Sequence, residues 1–520
     1  MSRASFVALA LVWLTAALPD ARAMTASAAV PDFPSLPAGD LPVGYRVAYL
    51  QDVSRSFGPR TDLDGQPLPG PLGRPVQFHL WYPARPGGGT AMRCADYVRA
   101  SVAPTGSAPD DSAAAARALE SCRERPLRRG ADPARLEAWL ERPALARRDA
   151  PPAEGRFPLV VYAPSINSDP WENWFLVENL ASRGFVVASA PSVGEDEAAV
   201  SIDAAGSHAQ QDDLRFVLAR ALDDPSVDPR RVGMIGFSWG GMNAVQLALR
   251  HAGVSAVVNL DGAHVMPDYK PIAESFPWWN PRRLRAALLE IVPRGAGRDT
   301  TFTRDSLYAD TYRWELPGIG HNDFAADMIA RYRVAAADTA AARVAGTWEA
   351  MAARIATFLA AYLQADAAAL TALRQGRTAA PGSSPPPAGA PWWFRPALPA
   401  PPTAAQFDQL VEERGVDEAV RVFRAARAAD AGAIVFERDR LLKFGPAWGP
   451  ERGGDLEKLL RLNLEVYPDS APSHFWLAQV CLARDDPTAA VGELETALRL
   501  DPGYERAQRL LRQLKTPSAR

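Results

Sequence analysis

A serine acts as a nucleophile only when a general base stands within hydrogen-bond reach and donors face the oxyanion that forms. The stretch GMIGFSWGGMNAVQLAL, residues 233–249, carries Ser238 in such a setting. Gly236 and Gly240 lie two residues before and two after it, as a sharp strand-to-helix turn requires. VGMIG (232–236) reads as a buried strand, and MNAVQLALR (242–250) has helical periodicity. Such a turn lifts the hydroxyl above the sheet and aims the next backbone N–H, that of Trp239, at the same point. The competing reading is a tight glycine turn without chemistry.

The base follows by elimination among six histidines. His79 lies in an early strand, His208 in a helix lead-in, His251 at the end of the helix behind Ser238, and His474 near the C-terminus. His321, in GIGHNDF, follows a strand, precedes helical sequence and comes late in the chain, where the order Ser, acid, His puts the base. His264 is read as pocket lining. The acid has two candidates. Asp261 directly follows the strand AVVNL, and Asp299 comes one strand later, beyond LLEIVPRGAGR. The acid must be fixed to orient an imidazole. Asp261, pinned at a strand end, is preferred, and Asp299, in a Gly/Arg loop, is the alternative. The loop YAPSINSDP (162–170), after the first core strand, is expected to supply the second oxyanion donor, assigned to the Ile166 backbone N–H.

These residues need a scaffold, and the chain alternates accordingly. Strands are predicted at 76–82, 157–164, 185–191, 232–236, 254–260, 286–292 and 312–318. Helices are predicted at 173–184, 210–222, 242–250 and 348–363. Near-continuous apolar strands alternating with helices imply an α/β fold, a mainly parallel sheet covered on both faces. Residues 85–155 break the rhythm and are read as an insertion or cap, with helical pieces at 112–122 and 133–140. The apolar cluster Phe276 to Trp279 is a candidate acyl pocket.

From 375 to 403 the composition turns to Pro, Ala, Gly and Ser, which reads as a semi-rigid linker interrupted by Trp392, Trp393 and Phe394. Beyond it the sequence is helical. LLRLNLEVYP ends at Pro468 and the next such segment at Pro502, a spacing of 34 residues. Leu477, Ala478, Cys481, Ala490, Leu494 and Ala497 fall where paired helices would touch, and Ala419, Phe423 and Ala426 repeat part of the spacing. Residues 406–515 are therefore expected to form an all-α domain of tetratricopeptide-like repeats, a surface for a protein or peptide partner.

At 520 residues the chain is too long for one core, and 48% hydrophobic with 22% charged residues is a globular composition. A net charge of −3 gives no electrostatic reason to propose nucleic acid. Arg3, the apolar run 6–18 and Ala21-Arg22-Ala23 read as a signal peptide over residues 1–23, and so predict a periplasmic or secreted protein. No later segment approaches the roughly 18 apolar residues of a membrane span. Export would permit Cys94 and Cys122 to pair, while Cys481 is expected to be a free thiol. No C-x-x-C or H-E-x-x-H spacing occurs, and no cofactor or metal is expected.

PVGYRVAYLQD, HLWYPA, FPLVVYAPS, LASRGFVVASAP, GFSWGG, NLDG and GIGHNDF occur in an order that resembles the α/β-hydrolase superfamily over about residues 42–365. The branch most similar is that of platelet-activating-factor acetylhydrolases and dienelactone-hydrolase-like enzymes. The acetylhydrolase branch implies Asp261 as the acid, and the dienelactone branch implies Asp299. The resemblance also implies metal-free activation of the serine. The sequence departs from the family at Pro164-Ser165, where the first loop usually carries His-Gly. The expected activity is cleavage of carboxylic esters through an acyl-enzyme. The alternatives are a peptidase or amidase on the same fold, and a repeat-based scaffold with a vestigial hydrolase domain.

Overall fold

The computed structural model describes residues 33–516, except 34, 58–60, 62–63, 68–72, 102–111, 196–198, 378–386, 388, 434–435 and 449. The expected leader, 1–23, lies outside the described residues.

The strands are β1 (Val43–Asp52), β2 (Arg74–Pro83), β3 (Thr90–Arg93), β4 (Pro143–Arg148), β5 (Phe157–Ala163), β6 (Val186–Ser189), β7 (Val227–Phe237), β8 (Val254–Leu260), β9 (Ala287–Pro293), β10 (Thr311–Leu316) and β11 (Trp392–Arg395). They join in one sheet of order β11-β10-β9-β8-β7-β5-β6-β2-β1-β4-β3. From β6 through β5, β7, β8 and β9 to β10 every neighbour is parallel. Period-two alternation explains why these strands are apolar throughout. In β7, Ile235 and Phe237 enter one core with β8's Val258 and Leu260, while Val232 and Met234 enter the other with Val257.

The first helices are α1 (Cys94–Ala100), α2 (Ser112–Arg128), α3 (Pro133–Leu140), α4 (Trp174–Ser182), α5 (Ala204–Leu222) and α6 (Trp239–Arg250). Helices α5 and α6 cover one face through Leu214, Val217, Leu218, Ala244 and Val245. Helix α4 and the helix Ala341–Leu363 cover the other through Leu176, Leu180, Trp348, Ile355 and Leu359.

Two stretches differ from expectation. Residues 85–155 hold α1, α2 and α3, and also β3 and β4, which extend the sheet beyond β1. Within the Pro-rich stretch 375–403, β11 pairs antiparallel with β10. Cys94 and Cys122 are both buried free thiols, and Cys481 is a half-buried free thiol. The C-terminal region is helical: Ala404–Glu413, Val416–Ala429, Gly453–Val466, Ala471–Ala483, Pro487–Leu500 and Glu505–Lys515. Its cores bury Phe407, Ala419, Phe423 and Leu477, then Ala478, Ala490, Leu494 and Ala497. Among the described residues no helix is long and apolar enough to cross a membrane.

Candidate active site

Ser238 stands between β7 and α6 with φ 56° and ψ −118°. A side chain rarely adopts this left-handed conformation, which costs of the order of 1–3 kcal/mol and persists only where the surroundings enforce it. They do. The Ser238 N–H donates to the Leu260 carbonyl at 3.0 Å, and the Ser238 carbonyl accepts from the Ala263 N–H at 2.8 Å. Glycine is compulsory on either side. A Cβ at Gly236 would lie 2.3 Å from the Gly240 carbonyl oxygen, and one at Gly240 would lie 2.1 Å from that of Ala163.

Asp261 follows β8, also at positive φ (42°), with its N–H on the Ile291 carbonyl of β9 at 2.8 Å. His321 opens a short 3₁₀ turn, His321–Phe324, after β10. Asp323 ties that turn down, accepting from the Gly320 N–H at 2.8 Å and from Arg333. The three side chains meet in one line. His321 Nε2 lies 2.9 Å from Ser238 Oγ, and His321 Nδ1 lies 2.7 Å from Asp261 Oδ2. Asp261 is fully buried and the His321 side chain is about a third exposed. A neutral imidazole that donates through Nδ1 to the carboxylate and accepts the serine proton at Nε2 satisfies all three groups.

Asp299 is elsewhere. It accepts from Lys270 Nζ at 2.8 Å and caps the next turn at the Thr301 N–H. Its neighbour Arg298 grips Asp261 instead, with Nε to Oδ1 at 2.7 Å and Nη2 to Oδ2 at 2.8 Å. Burial pushes the Asp261 carboxyl up, but the hydrogen bonds from His321 and Arg298 outweigh it and hold the group below the usual carboxylate range.

Trp239 begins α6, so its N–H has no partner within the helix. Ile166 lies in the loop after β5 and lines the same cavity as Ser238 and Trp239. Buried Glu172 holds that loop. It accepts from the Ser165 N–H at 2.9 Å, the Ser165 hydroxyl at 2.6 Å and the Tyr162 hydroxyl at 2.6 Å. Burial, opposed by those donors, pushes the Glu172 carboxyl up to about 7. Asn167, at φ 55°, accepts from the Val200 N–H at 2.6 Å. Asn173 joins this loop to the histidine loop, donating to Tyr162 and accepting from the Ala326 N–H at 2.9 Å.

The cavity measures about 1210 Å³. Phe237, Ser238, Trp239, Met266 and Tyr269 line it, as do Val98, Cys122, Arg125 and Arg129 of the 85–155 segment. His264 is not part of this wall. It is buried between Trp279 and Phe302, and burial pushes its imidazole down to about 3. The aromatic cluster Phe276 to Trp279 does not line the cavity either. Phe276 and Trp278 pack on His208, while Trp279 rests on Phe302 at 4.5 Å. Of the other histidines, His79 is buried against the Tyr45 hydroxyl at 2.8 Å and His474 pairs with Glu493 at 2.6 Å. Among the described residues no three His, Cys, Asp or Glu side chains gather as a metal-binding set.

Sequence reasoning missed two members of this arrangement. Arg298 neighbours the alternative acid, and nothing in its own loop marks it as a partner of Asp261. Glu172 sits in PWENWF, where no pattern distinguishes it from a surface acid.

Known proteins bear out the class of fold. The family of the α/β hydrolase fold matches residues 158–365, the span from β5 to the helix Ala341–Leu363. The matched span is similar to that fold and contains the serine turn and the strands β6 to β10. Among solved structures, a ferulic acid esterase from Streptomyces cinnamoneus is similar at 22% identity with a TM-score of 0.45, over 70% of this chain and 98% of that one. No curated protein matches the chain.

Proposed function

We propose that this chain is a serine hydrolase that cleaves carboxylic esters through an acyl-enzyme, of the acetylhydrolase and dienelactone-hydrolase-like kind. The observation that carries the reading is the unbroken hydrogen-bonded line Ser238–His321–Asp261 at a strained strand-to-helix turn. As Ser238 Oγ attacks the ester carbonyl, its proton passes to His321 Nε2. Asp261 holds the ring and stabilises the imidazolium without taking the proton. The N–H groups of Trp239 and Ile166 receive the oxyanion, a donor of this kind contributing ~3 kcal/mol. His321 then protonates the leaving alcohol. It next takes a proton from water, whose oxygen attacks the acyl carbon, and returns that proton to Ser238 Oγ as the acid leaves. The apolar wall of Phe237, Trp239, Met266 and Tyr269 suits an acyl or aromatic group, in a cavity large enough for a small-molecule or lipid-like ester.

The reading has two further parts. Residues 406–515 are taken as tetratricopeptide-like repeats for a protein or peptide partner, supported by the buried small contacts Ala478, Ala490 and Ala497. Residues 1–23 are taken as an export signal, supported by the basic start, the apolar run and the Ala-x-Ala site.

The test is labelling of the purified chain with a fluorophosphonate probe, beside Ser238→Ala and His321→Ala. Labelling mapped to Ser238 and lost in both variants is expected, with ester turnover down by at least about 10³-fold in each. Folded wild-type protein that takes no label would overturn the proposal. Matched ester and amide substrates then separate esterase from amidase.

A further inference from the structure

We infer that Arg298 is a positioning residue that sets the pH range of the Ser238–His321–Asp261 line, by sharing the Asp261 carboxylate with the imidazole. The inference deepens the ester-hydrolase reading and rests on it.

A buried carboxylate stays ionised only when donors surround it. Asp261 is fully buried, and Oδ2 serves two donors at once: His321 Nδ1 at 2.7 Å and Arg298 Nη2 at 2.8 Å. Oδ1 takes the second arm of the guanidinium at 2.7 Å. The clamp is therefore bidentate, the geometry in which arginine is not interchangeable with lysine.

The arginine is itself held in place. The Asp299 N–H donates to the Val265 carbonyl at 2.8 Å, and Lys270 grips the Asp299 carboxylate at 2.8 Å. Arg313 donates to the Asp299 carbonyl at 3.4 Å. The loop that sequence reasoning singled out for an acid thus serves to deliver a cation to the acid one strand earlier.

The consequence is electrostatic. When His321 takes the serine proton, its new charge faces a carboxylate already half-neutralised from the other edge. The imidazolium gains less from Asp261 than an unclamped carboxylate would give, and that difference is what Arg298 contributes to the line. Other charges nearby are accounted for. Arg313 is paired with Glu290, Lys270 with Asp299, and Arg331 with Asp327; His264 is buried. Asp323, on the turn of His321, is paired with Arg333, and Glu124, Arg125, Arg128, Arg129, Asp169, Glu172 and Asp268 also line the cavity.

The experiment is the pH profile of kcat/KM for the full chain and for Arg298→Gln, Arg298→Met and Arg298→Lys, each checked for folding by circular dichroism. Removing the charge should move the acidic limb up by about one pH unit, while lysine should leave it near wild type at reduced kcat. Met keeps the aliphatic stem and gives a second neutral variant should Gln fail to fold. A neutral variant that loses kcat with its acidic limb unmoved would overturn the inference and leave Arg298 a loop staple. If the wild type turns over no ester, the esterase reading fails separately. The His321 ring proton signals of wild type and Arg298→Gln, followed by NMR against pH, then decide: an upward shift supports the inference and coincident titrations overturn it.

Discussion

Two members of the serine line sit at strained positions. Ser238 and Asp261 both hold positive φ, and both have their backbone N–H groups tied to neighbouring strands. A chain spends strain where position matters. Glu172 is a less visible case. It is buried, bonded to three donors around Ser165, and pushed up to about 7 by burial against the pull of those donors. Its folded state binds a proton more tightly than the unfolded chain. The stability from that proton is full below the ordinary carboxylate range and is lost as pH rises through about 7. Glutamine at 172 keeps an acceptor for the Ser165 N–H and carries no titration. Between about pH 5 and pH 8 the melting temperature of Glu172→Gln should therefore fall less than that of the wild type. Thermal denaturation across that range checks it. Parallel curves would show that Glu172 does not titrate there. Asp169 and Asp327 are also raised by burial, but both variants share them, so the difference isolates Glu172.

The elements differ in how plainly the sequence announces them. The central strands β5, β7, β8 and β9 were legible because both of their faces are buried, which leaves long apolar runs between glycine and proline breaks. Ser238 was legible from its glycines, and His321 because few histidines competed with it. The edge strands were not. β3 and β4 are short and arginine-bearing, and β11 sits in proline-rich sequence, so neither periodicity nor composition marks them. Arg298 was hidden because its partner follows the neighbouring strand, 37 residues earlier in the chain, a relation that no local pattern encodes. The Phe276–Trp279 cluster misled because aromatic residues near a site serve core packing as readily as a pocket. The reason β11 forms is visible only in three dimensions. Arg354 is fully buried, and its guanidinium lies 4.1 Å from the Trp314 ring and 4.4 Å from that of Trp392. Burial pushes it down to about 10, and Nη2 donates to the Gly376 carbonyl at 2.6 Å. The strand closes the sheet edge and roofs this cation. Trp392→Ala should cost about 2–4 kcal/mol through lost packing and a wetted guanidinium. Chemical denaturation reads the loss, and a change under ~0.5 kcal/mol would show that β11 only rests on the edge.

Among the described residues, two hydrogen-bonded attachments join the C-terminal helices to the rest of the chain. Chain from β11 onward is bonded to the body: the Leu398 N–H donates to the Leu307 carbonyl at 2.8 Å, and the Ala397 N–H to Asp310 at 2.8 Å. The other attachment is Asp430, at the end of helix Val416–Ala429. One of its oxygens accepts from its own turn at the Gly432 N–H, 2.9 Å away. The other accepts from Arg282 Nε at 2.8 Å and from the Tyr308 hydroxyl at 2.6 Å. The Asp430 side chain is only 7% exposed in this pair, so water cannot replace it cheaply. Burial, with Asp430 adding to it, pushes the Tyr308 phenol up to about 12, and the arginine partner holds the Asp430 carboxyl below its usual range despite burial. Removing the carboxylate leaves two donors facing each other without an acceptor, at about 1–3 kcal/mol. That loss falls on the attachment alone, because Asp430 touches neither the serine line nor the cavity wall. In Asp430→Ala, amide hydrogen exchange should speed up in the helix Val416–Ala429 and in the turn Pro281–Arg283, while the helix α6 behind Ser238 exchanges as in the wild type. Fluorophosphonate labelling of Ser238 should be unchanged. Faster exchange in α6 as well would mean that the C-terminal helices and the serine turn form one cooperative unit.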